Sequence, residues 1–251
     1  MPKISAVIIT KNEERNLGRC LNSLEGVADE IVIIDSFSTD KTPEIALEAG
    51  ARYFTQEWLG YSATKNLANE TAQYPYILSL DADEALSPEL RESILQQKDK
   101  LEGCYRFNRL TNYCGKWIRH SGWYPDTKIR LFPKGKAHWV GEFVHETLET
   151  ETGLQQVHLS GDLYHYSYYQ IREHIERANR YSDLAAQKIH ASGKKGLLFK
   201  CLVNAYFRFW KHFLLKRGIL DGYFGFVISA IAGFEVFLKY AKAISLRRGP
   251  T

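Results

Sequence analysis

The chain has 251 residues, 45% of them hydrophobic, with 33 Lys and Arg against 29 Asp and Glu. That is ample material for one large domain, or a domain with an appendage, and it leaves no disorder-like tract. The formal net charge of +4 is mild but uneven: residues 1–100 are acidic to neutral and Lys194 to Arg217 is basic, which directs the C-terminal part toward an anionic partner. Cys20, Cys104, Cys114 and Cys201 form no C-x-x-C pair, so neither a zinc site nor a disulfide framework is indicated and a reducing compartment fits.

The opening MPKISAVIITKNEE has an apolar run too short for a signal peptide, so the chain is expected to stay in the cytosol. Ser5 to Thr10 and Glu30 to Asp35 read as short buried strands, since β-branched apolar runs of this length suit a parallel sheet covered on both faces. Between them, Leu17, Cys20, Leu21 and Leu24 fall at helical spacing and predict a helix over Glu13 to Leu24. Thr42-Pro43 opens a second helix to about Ala49. Ala51 to Phe54 is a third strand, Ser62 to Ala72 a helix and Tyr76 to Leu80 a fourth strand. Strand alternating with helix in this way predicts a doubly wound, nucleotide-binding α/β half.

The fourth strand delivers Asp81 and Asp83 around a small Ala82. Two acids this close repel unless a cation sits beside them, and a divalent ion carrying a diphosphate would serve. A turn rich in Asp, Ser87 and Pro88 for conformational reasons is the alternative; ligands of open α/β sheets, however, collect beyond the carboxyl ends of the strands. Residues 103–165 turn to Tyr, Trp, Gly and charge, with strand-like pieces at Cys104 to Leu110, Lys128 to Phe132 and Gln155 to Leu159, which predicts a mixed sheet shaping a second pocket.

After His165 the chain reads as helical, beginning with Tyr169 to His190. From Leu197 to Leu215, Lys200, Asn204, Arg208, Lys211 and His212 form a narrow polar stripe beside a broad apolar face of Leu202, Val203, Tyr206, Phe209, Trp210, Phe213 and Leu214. That is the profile of a helix lying in an anionic leaflet; a pair of core helices is the alternative. Gly218 to Leu238 is apolar too, but Asp221 and Glu235 interrupt it, and its longest uncharged run of about thirteen residues falls short of the roughly twenty needed to cross a bilayer.

With these elements placed, three segments carry a resemblance: VIITKNEERNL (Val7 to Leu17), IVIIDSFSTDKT (Ile31 to Thr42) and the D-x-D element Asp81-Ala82-Asp83. In that order, each at a strand's end, they resemble the inverting family 2 glycosyltransferases of GT-A fold. SLDADE, the RLFP run at Arg130 to Pro133, the VHE at Val144 to Glu146 and the tail Ile219 to Lys242 resemble a narrower group, bacterial enzymes that add a sugar, often glucose, to the lipopolysaccharide inner core.

The resemblance implies a GT-A catalytic domain over 1–165, with a nucleotide-sugar half (1–100) and an acceptor half (101–165), and a membrane-associating helical region over 166–251. It implies a UDP-sugar donor and a divalent Mg²⁺ or Mn²⁺ held by Asp83, with Asp81 toward the ribose and uracil or sharing the metal indirectly. Asp35 would accept from the uracil N3–H and Glu13 from a ribose hydroxyl, Thr10 and Asn12 would shape the nucleotide loop, and Lys65 would face the nucleotide. Helix capping is the alternative for Asn12 and Glu13, and a solvated helix face is the alternative for Lys65.

The general base is expected among Glu142, His145 and Glu146. A carboxylate suits an inverting displacement when burial raises its proton affinity, and family position favours Glu146. Trp117, Trp123, Tyr124 and Trp139 are placed where an acceptor sugar would sit, with Trp123 in an exposed loop. Arg130 would bind phosphate or pair with a strand neighbour.

The expected partners are a nucleotide sugar, a lipid-linked glycan and an anionic membrane surface at the inner face of the cytoplasmic membrane, with no nucleic acid. A polyprenyl-linked or protein acceptor stays open, as does a non-catalytic nucleotide-sugar-binding protein. A dehydrogenase is disfavoured, because TKNEE rather than a G-x-G-x-x-G loop follows the first strand.

Overall fold

The computed structural model describes residues 2–141, 146–193 and 196–248. The chain divides into two compact units, Met1–Arg109 with Asp126–Tyr166, and Leu110–Pro125 with Ser167–Thr251. In the first unit, β1 (Ile4–Thr10), β2 (Glu30–Asp35), β3 (Arg52–Thr55) and β4 (Tyr76–Asp81) pair in parallel in the order β3-β2-β1-β4, linked by α1 (Leu17–Ser23), α2 (Thr42–Glu48) and α3 (Tyr61–Thr71). Alternate residues feed opposite faces: Ile4, Ile8, Ile33 and Leu78 enter one core and Val7, Val32, Ile34 and Ile77 the other. Each such burial contributes about 1.5–3 kcal/mol.

The predicted helix over Glu13 to Leu24 begins later, at Leu17. The loop before it is bonded instead to the loop after β2: Asn12 Oδ1 accepts from Thr39 N (2.8 Å), Glu13 N donates to Thr42 Oγ1 (2.7 Å) and Glu14 N to Asp40 Oδ2 (3.1 Å). Side-chain acceptors thus take the backbone donors a helix would otherwise use.

β5 (Glu84–Leu86) follows the acid pair and leads into α4 (Pro88–Gln97). Ser87 caps this helix, accepting from Leu90 N (3.1 Å), with Pro88 in the first turn. After β6 (Cys104–Tyr113) and β7 (Lys116–Ile118) come β8 (Asp126–Pro133), β9 (Ala137–Val140), β10 (Thr147–Thr150) and β11 (Gln156–Tyr168). β8 runs antiparallel to β4 and to β6, and β11 antiparallel to β5, so the sheet continues as β4-β8-β6-β11-β5. Gly161 in β11 has φ +93°, and a Cβ there would lie 2.2 Å from Leu90 N; only glycine lets β11 run this close to the start of α4.

In the second unit β7 pairs with the end of β6, and Tyr113, Ile118, Tyr168 and Ile228 form a core with Trp123 against it. Three helices follow: α5 (Ile171–Ala191), α6 (Leu197–Trp210) and α7 (Gly222–Arg248). Glu173 Oε2 accepts from Tyr169 N (2.6 Å) and Gln170 N (3.1 Å), fixing the start of α5. α6 widens into a π-helical turn over Lys211–Leu215.

Asp221 is buried and accepts from Arg119 N (3.2 Å), His120 N (3.0 Å), His120 Nδ1 (3.1 Å) and Ser121 Oγ (3.1 Å). Gly218–Arg247 is long and apolar enough to cross a membrane by length and composition. Its far end is nevertheless tied to α5, where Lys242 Nζ meets Asp183 Oδ1 (2.6 Å) and Asn179 Oδ1 (2.7 Å). On α6 the apolar side chains are turned outward: Leu198 is 68% exposed, Phe199 72% and Phe207 64%.

Candidate active site

The acid pair sits at the carboxyl end of β4, where a parallel sheet gathers the loops of its neighbours. Asp81 is held by two cations: Lys65 Nζ on α3 lies 2.7 Å from Oδ1, and Arg130 Nη2 on β8 lies 2.8 Å from Oδ2. Burial alone would raise the Asp81 pKa, but Lys65 and Arg130 outweigh it and hold the carboxyl well below the usual carboxylate range.

Arg130 also donates to Glu84 Oε1 (2.6 Å), whose side chain is fully buried. Glu84 Oε2 in turn accepts from Asp81 N (3.0 Å). Arg109 completes the network, 3.4 Å from Glu84 and 2.7 Å from Asp126. Both Asp81 oxygens are therefore engaged by protein cations, one contact to each.

Asp83 faces elsewhere. Its Oδ2 lies 3.2 Å from Nε2 of His165 on β11, and His165 lowers the Asp83 pKa against the upward push of burial. Glu13 belongs to the same acidic pocket: burial first, and then Asp83, Asp40 and Asp81, raise its pKa, while its Oε2 accepts from Asn16 Nδ2 (2.8 Å). Asn12 and Glu13 brace the β1 and β2 loops against each other. Neither caps α1, whose N-cap residue is Asn16.

Asp35 is fully buried. Its Oδ1 accepts from Thr10 Oγ1 (2.7 Å) and Ser38 Oγ (2.5 Å), its Oδ2 accepts from Ser38 N (2.7 Å), and the Tyr53 hydroxyl adds a further bond. Thr10 thus ties the end of β1 to the Asp35 carboxylate at the end of β2.

Lys65 is no solvated lysine. Only 2% exposed, it lies 4.5 Å from the Trp139 ring centroid and 3.6 Å from Glu146 Oε1. The other Glu146 oxygen, Oε2, is buried without a hydrogen-bond partner among the described residues, as are Arg130 Nε and Trp139 Nε1. Three unsatisfied polar atoms around one cation cluster are what a site built for a polar ligand presents. Glu142 and His145 lie outside the described residues.

Of the predicted residues, Lys65, Asp81 and Glu146 come together directly, with Asp83 and Glu13 alongside. Trp123 departs from the exposed loop expected of it: it packs in the second unit, its ring centroid 5.6 Å from Tyr113 and 5.5 Å from His174. Sequence reasoning missed His165 and Glu84. The signal for both is their register, His165 opposite Glu84 on β11 and β5, a pairing that local patterns do not show. The pairing alternative for Arg130 holds, with the DADE acids as the partners.

Among the described residues no three His, Cys, Asp or Glu side chains group to hold a metal. Asp83 with His165 offers two ligands, and a carboxylate with an imidazole suits an ion that accepts both oxygen and nitrogen.

Residues 5–145 match the family model described as glycosyl transferase family 2. An uncharacterized glycosyltransferase of Rickettsia typhi is 32% identical over 96% of this chain and 87% of its own length. The lipopolysaccharide core biosynthesis glycosyltransferase LpsC of Rhizobium meliloti is 32% identical over 96% and 93%. Among solved structures, glucosyl-3-phosphoglycerate synthase from Mycobacterium tuberculosis, in complex with Mn²⁺, UDP and glucosyl-3-phosphoglycerate, superposes with a TM-score of 0.37 over 44% of each chain at 20% identity. The family model covers more than half of the chain and the relatives run nearly its whole length, so this protein belongs to glycosyl transferase family 2 and is a glycosyltransferase with the mixed GT-A-type α/β sheet.

Proposed function

We propose that this glycosyltransferase is inverting and metal-dependent, and moves a hexose, glucose in the first instance, from a UDP-sugar to a lipopolysaccharide-core or related lipid-linked glycan at the cytosolic face of the membrane. One observation carries the reading. Lys65 bridges Asp81 of the D-x-D element and Glu146, whose second oxygen is buried and unpartnered among the described residues. Donor-side charge and a candidate base thus meet at one cation.

Asp83 and His165 would hold the divalent ion, which neutralises charge on the departing diphosphate. Asp81, fixed by Lys65 and Arg130, would keep that corner of the pocket rigid on the nucleoside side. Glu13, with its raised proton affinity, would accept from a ribose hydroxyl. Glu146 Oε2 would take the proton of the acceptor hydroxyl as its oxygen bonds to the anomeric carbon and the bond from that carbon to the diphosphate oxygen breaks.

The acceptor reading is supported by the relative named for lipopolysaccharide core biosynthesis and by the second unit's outward apolar side chains. Residues 197–217 carry Lys200, Arg208, Lys211, Lys216 and Arg217 and no acid. At about 1 kcal/mol per basic residue near an anionic surface, five such charges beside exposed Phe199, Phe207 and Leu215 make a surface anchor.

The test is nucleotide release and sugar transfer by the purified protein over a panel of nucleotide sugars with Mn²⁺, with and without chelator. Asp83→Asn should abolish the metal-dependent part. Glu146→Gln should leave donor binding intact and lower kcat by about 10²–10⁴; full transfer by that variant would move the base elsewhere. Vesicles of anionic lipid should bind the protein, less so as salt rises, and indifference to both would remove the membrane half.

A further inference from the structure

In the second unit a cavity of 240 Å³ is lined by Trp123, His174, Arg208, His212 and Glu235. Nothing in the reaction above uses it. Glu235 stands on α7, is half-buried, and has no hydrogen bond or ion pair among the described residues; burial raises its pKa, with Arg208 and Lys239 acting in the opposite sense. Arg208 on α6 likewise makes no ion pair among the described residues. Its Nη1 is 3.2 Å from His212 Nε2, while His212 Nδ1 is 2.9 Å from the Ser121 carbonyl. A carbonyl can only accept, so Nδ1 carries the proton and Nε2 accepts from Arg208. His212 is therefore a neutral strut that orients the guanidinium.

The cavity thus holds one guanidinium and one carboxylate that face the same space yet stand beyond ion-pair distance. A ligand that satisfies both must be negative at one end and positive at the other. The Trp123 ring favours the cationic end, and a guanidinium matches phosphate oxygens in geometry. On the adjoining side of α6, Phe207, Trp210, Leu214 and Leu215 line an open apolar groove of 360 Å³ edged by Lys211. That is a berth for hydrocarbon next to a berth for a zwitterion.

We infer that this cavity binds the phosphoethanolamine headgroup of a membrane lipid, phosphate on Arg208 and primary ammonium on Glu235, with an acyl chain along the neighbouring groove. The inference rests on the membrane reading above and adds a named lipid to it. It also gives Glu235, half-buried on α7, a partner of opposite charge within the cavity.

The experiment is co-flotation of the full chain with vesicles in which phosphatidylglycerol is constant and the remaining lipid is either phosphatidylcholine or phosphatidylethanolamine. Partitioning should be up to about fivefold stronger with phosphatidylethanolamine, the upper end of what one solvent-facing ion pair contributes. Glu235→Gln should erase that difference and leave the phosphatidylglycerol-dependent binding unchanged, with an unaltered thermal melt as the check on folding.

Equal binding to the two vesicle types by the unmodified protein, which needs no variant, overturns the inference while the membrane reading stands. A gain that survives Glu235→Gln also overturns it. No binding to either vesicle removes the membrane reading, and this inference with it.

Discussion

Replacing Arg130 by Met should destabilise the first unit by about 3–5 kcal/mol, the cost of removing one partner from a buried ion pair. The structure shows why the loss falls on Glu84 rather than Asp81. Without Arg130, Asp81 keeps Lys65 at 2.7 Å, whereas Glu84, with no exposed side-chain surface, keeps only a backbone N–H and Arg109 at 3.4 Å. The charge left behind is therefore buried and under-neutralised.

Hydrogen exchange of β4 and β8, which pair at Ile77 and Phe132, reports opening of this unit. A loss of 3–5 kcal/mol appears as amides exchanging about 150- to 5,000-fold faster. Adding Glu84→Gln to Arg130→Met should restore most of the protection, because the double variant buries no orphan charge. Acceleration below about tenfold in the single variant, or no recovery in the double, would refute the claim that Arg130 is held for Glu84.

Lys65→Met should lower turnover by about 10² and cost less stability than Arg130→Met, since Asp81 retains Arg130 and Glu146 is partly exposed; steady-state kinetics beside urea midpoints separate the two effects. His174→Ala should flatten an acid-dependent loss of stability in the second unit. The His174 pKa is lowered to about 4 by burial and then by Arg177, below the unfolded value of about 6.5, so its contribution is whole above 6.5 and drains, by up to about 3 kcal/mol, as pH falls toward 4. Urea midpoints at pH 7.5 and 5 check this, and an equally steep loss in the variant would contradict it. Asp221→Asn sets an amide donor against backbone donors and should cost about 1–3 kcal/mol, seen as faster exchange at residues 119–121; unchanged exchange there would mean the carboxylate is dispensable.

The parallel half was legible because its signal is local. Ser5 to Thr10, Glu30 to Asp35 and Tyr76 to Leu80 are apolar runs with few other uses, and each became a strand within a residue or so. The loop of residues 11–16 was not legible, because its conformation is set by Ser38, Thr39, Asp40 and Thr42 some 26–29 residues on. The same limit applies to the site. Asp81, Asp83 and Lys65 stand in one stretch of chain, but what gives the two acids different partners comes from Arg130 on β8 and His165 on β11. Trp123 looked exposed beside Gly122 and Pro125 because local composition cannot show that Tyr113, Tyr168 and His174 enclose it.

Under the proposed roles, Lys65 links the two halves of the reaction. At an effective dielectric of about 20, its gross attraction is about 6 kcal/mol to Asp81 at 2.7 Å and about 5 kcal/mol to Glu146 at 3.6 Å. Neither carboxylate owns the ammonium. When Glu146 accepts the acceptor's proton, its share of that balance vanishes, and the site becomes more positive by one charge at the moment the diphosphate departs as an anion. A general base paired to a buried lysine thus converts proton uptake on one side of the sugar into leaving-group stabilisation on the other. A base standing alone in solvent would give no such coupling, which is the physical reason to bury Lys65 between the D-x-D element and Glu146.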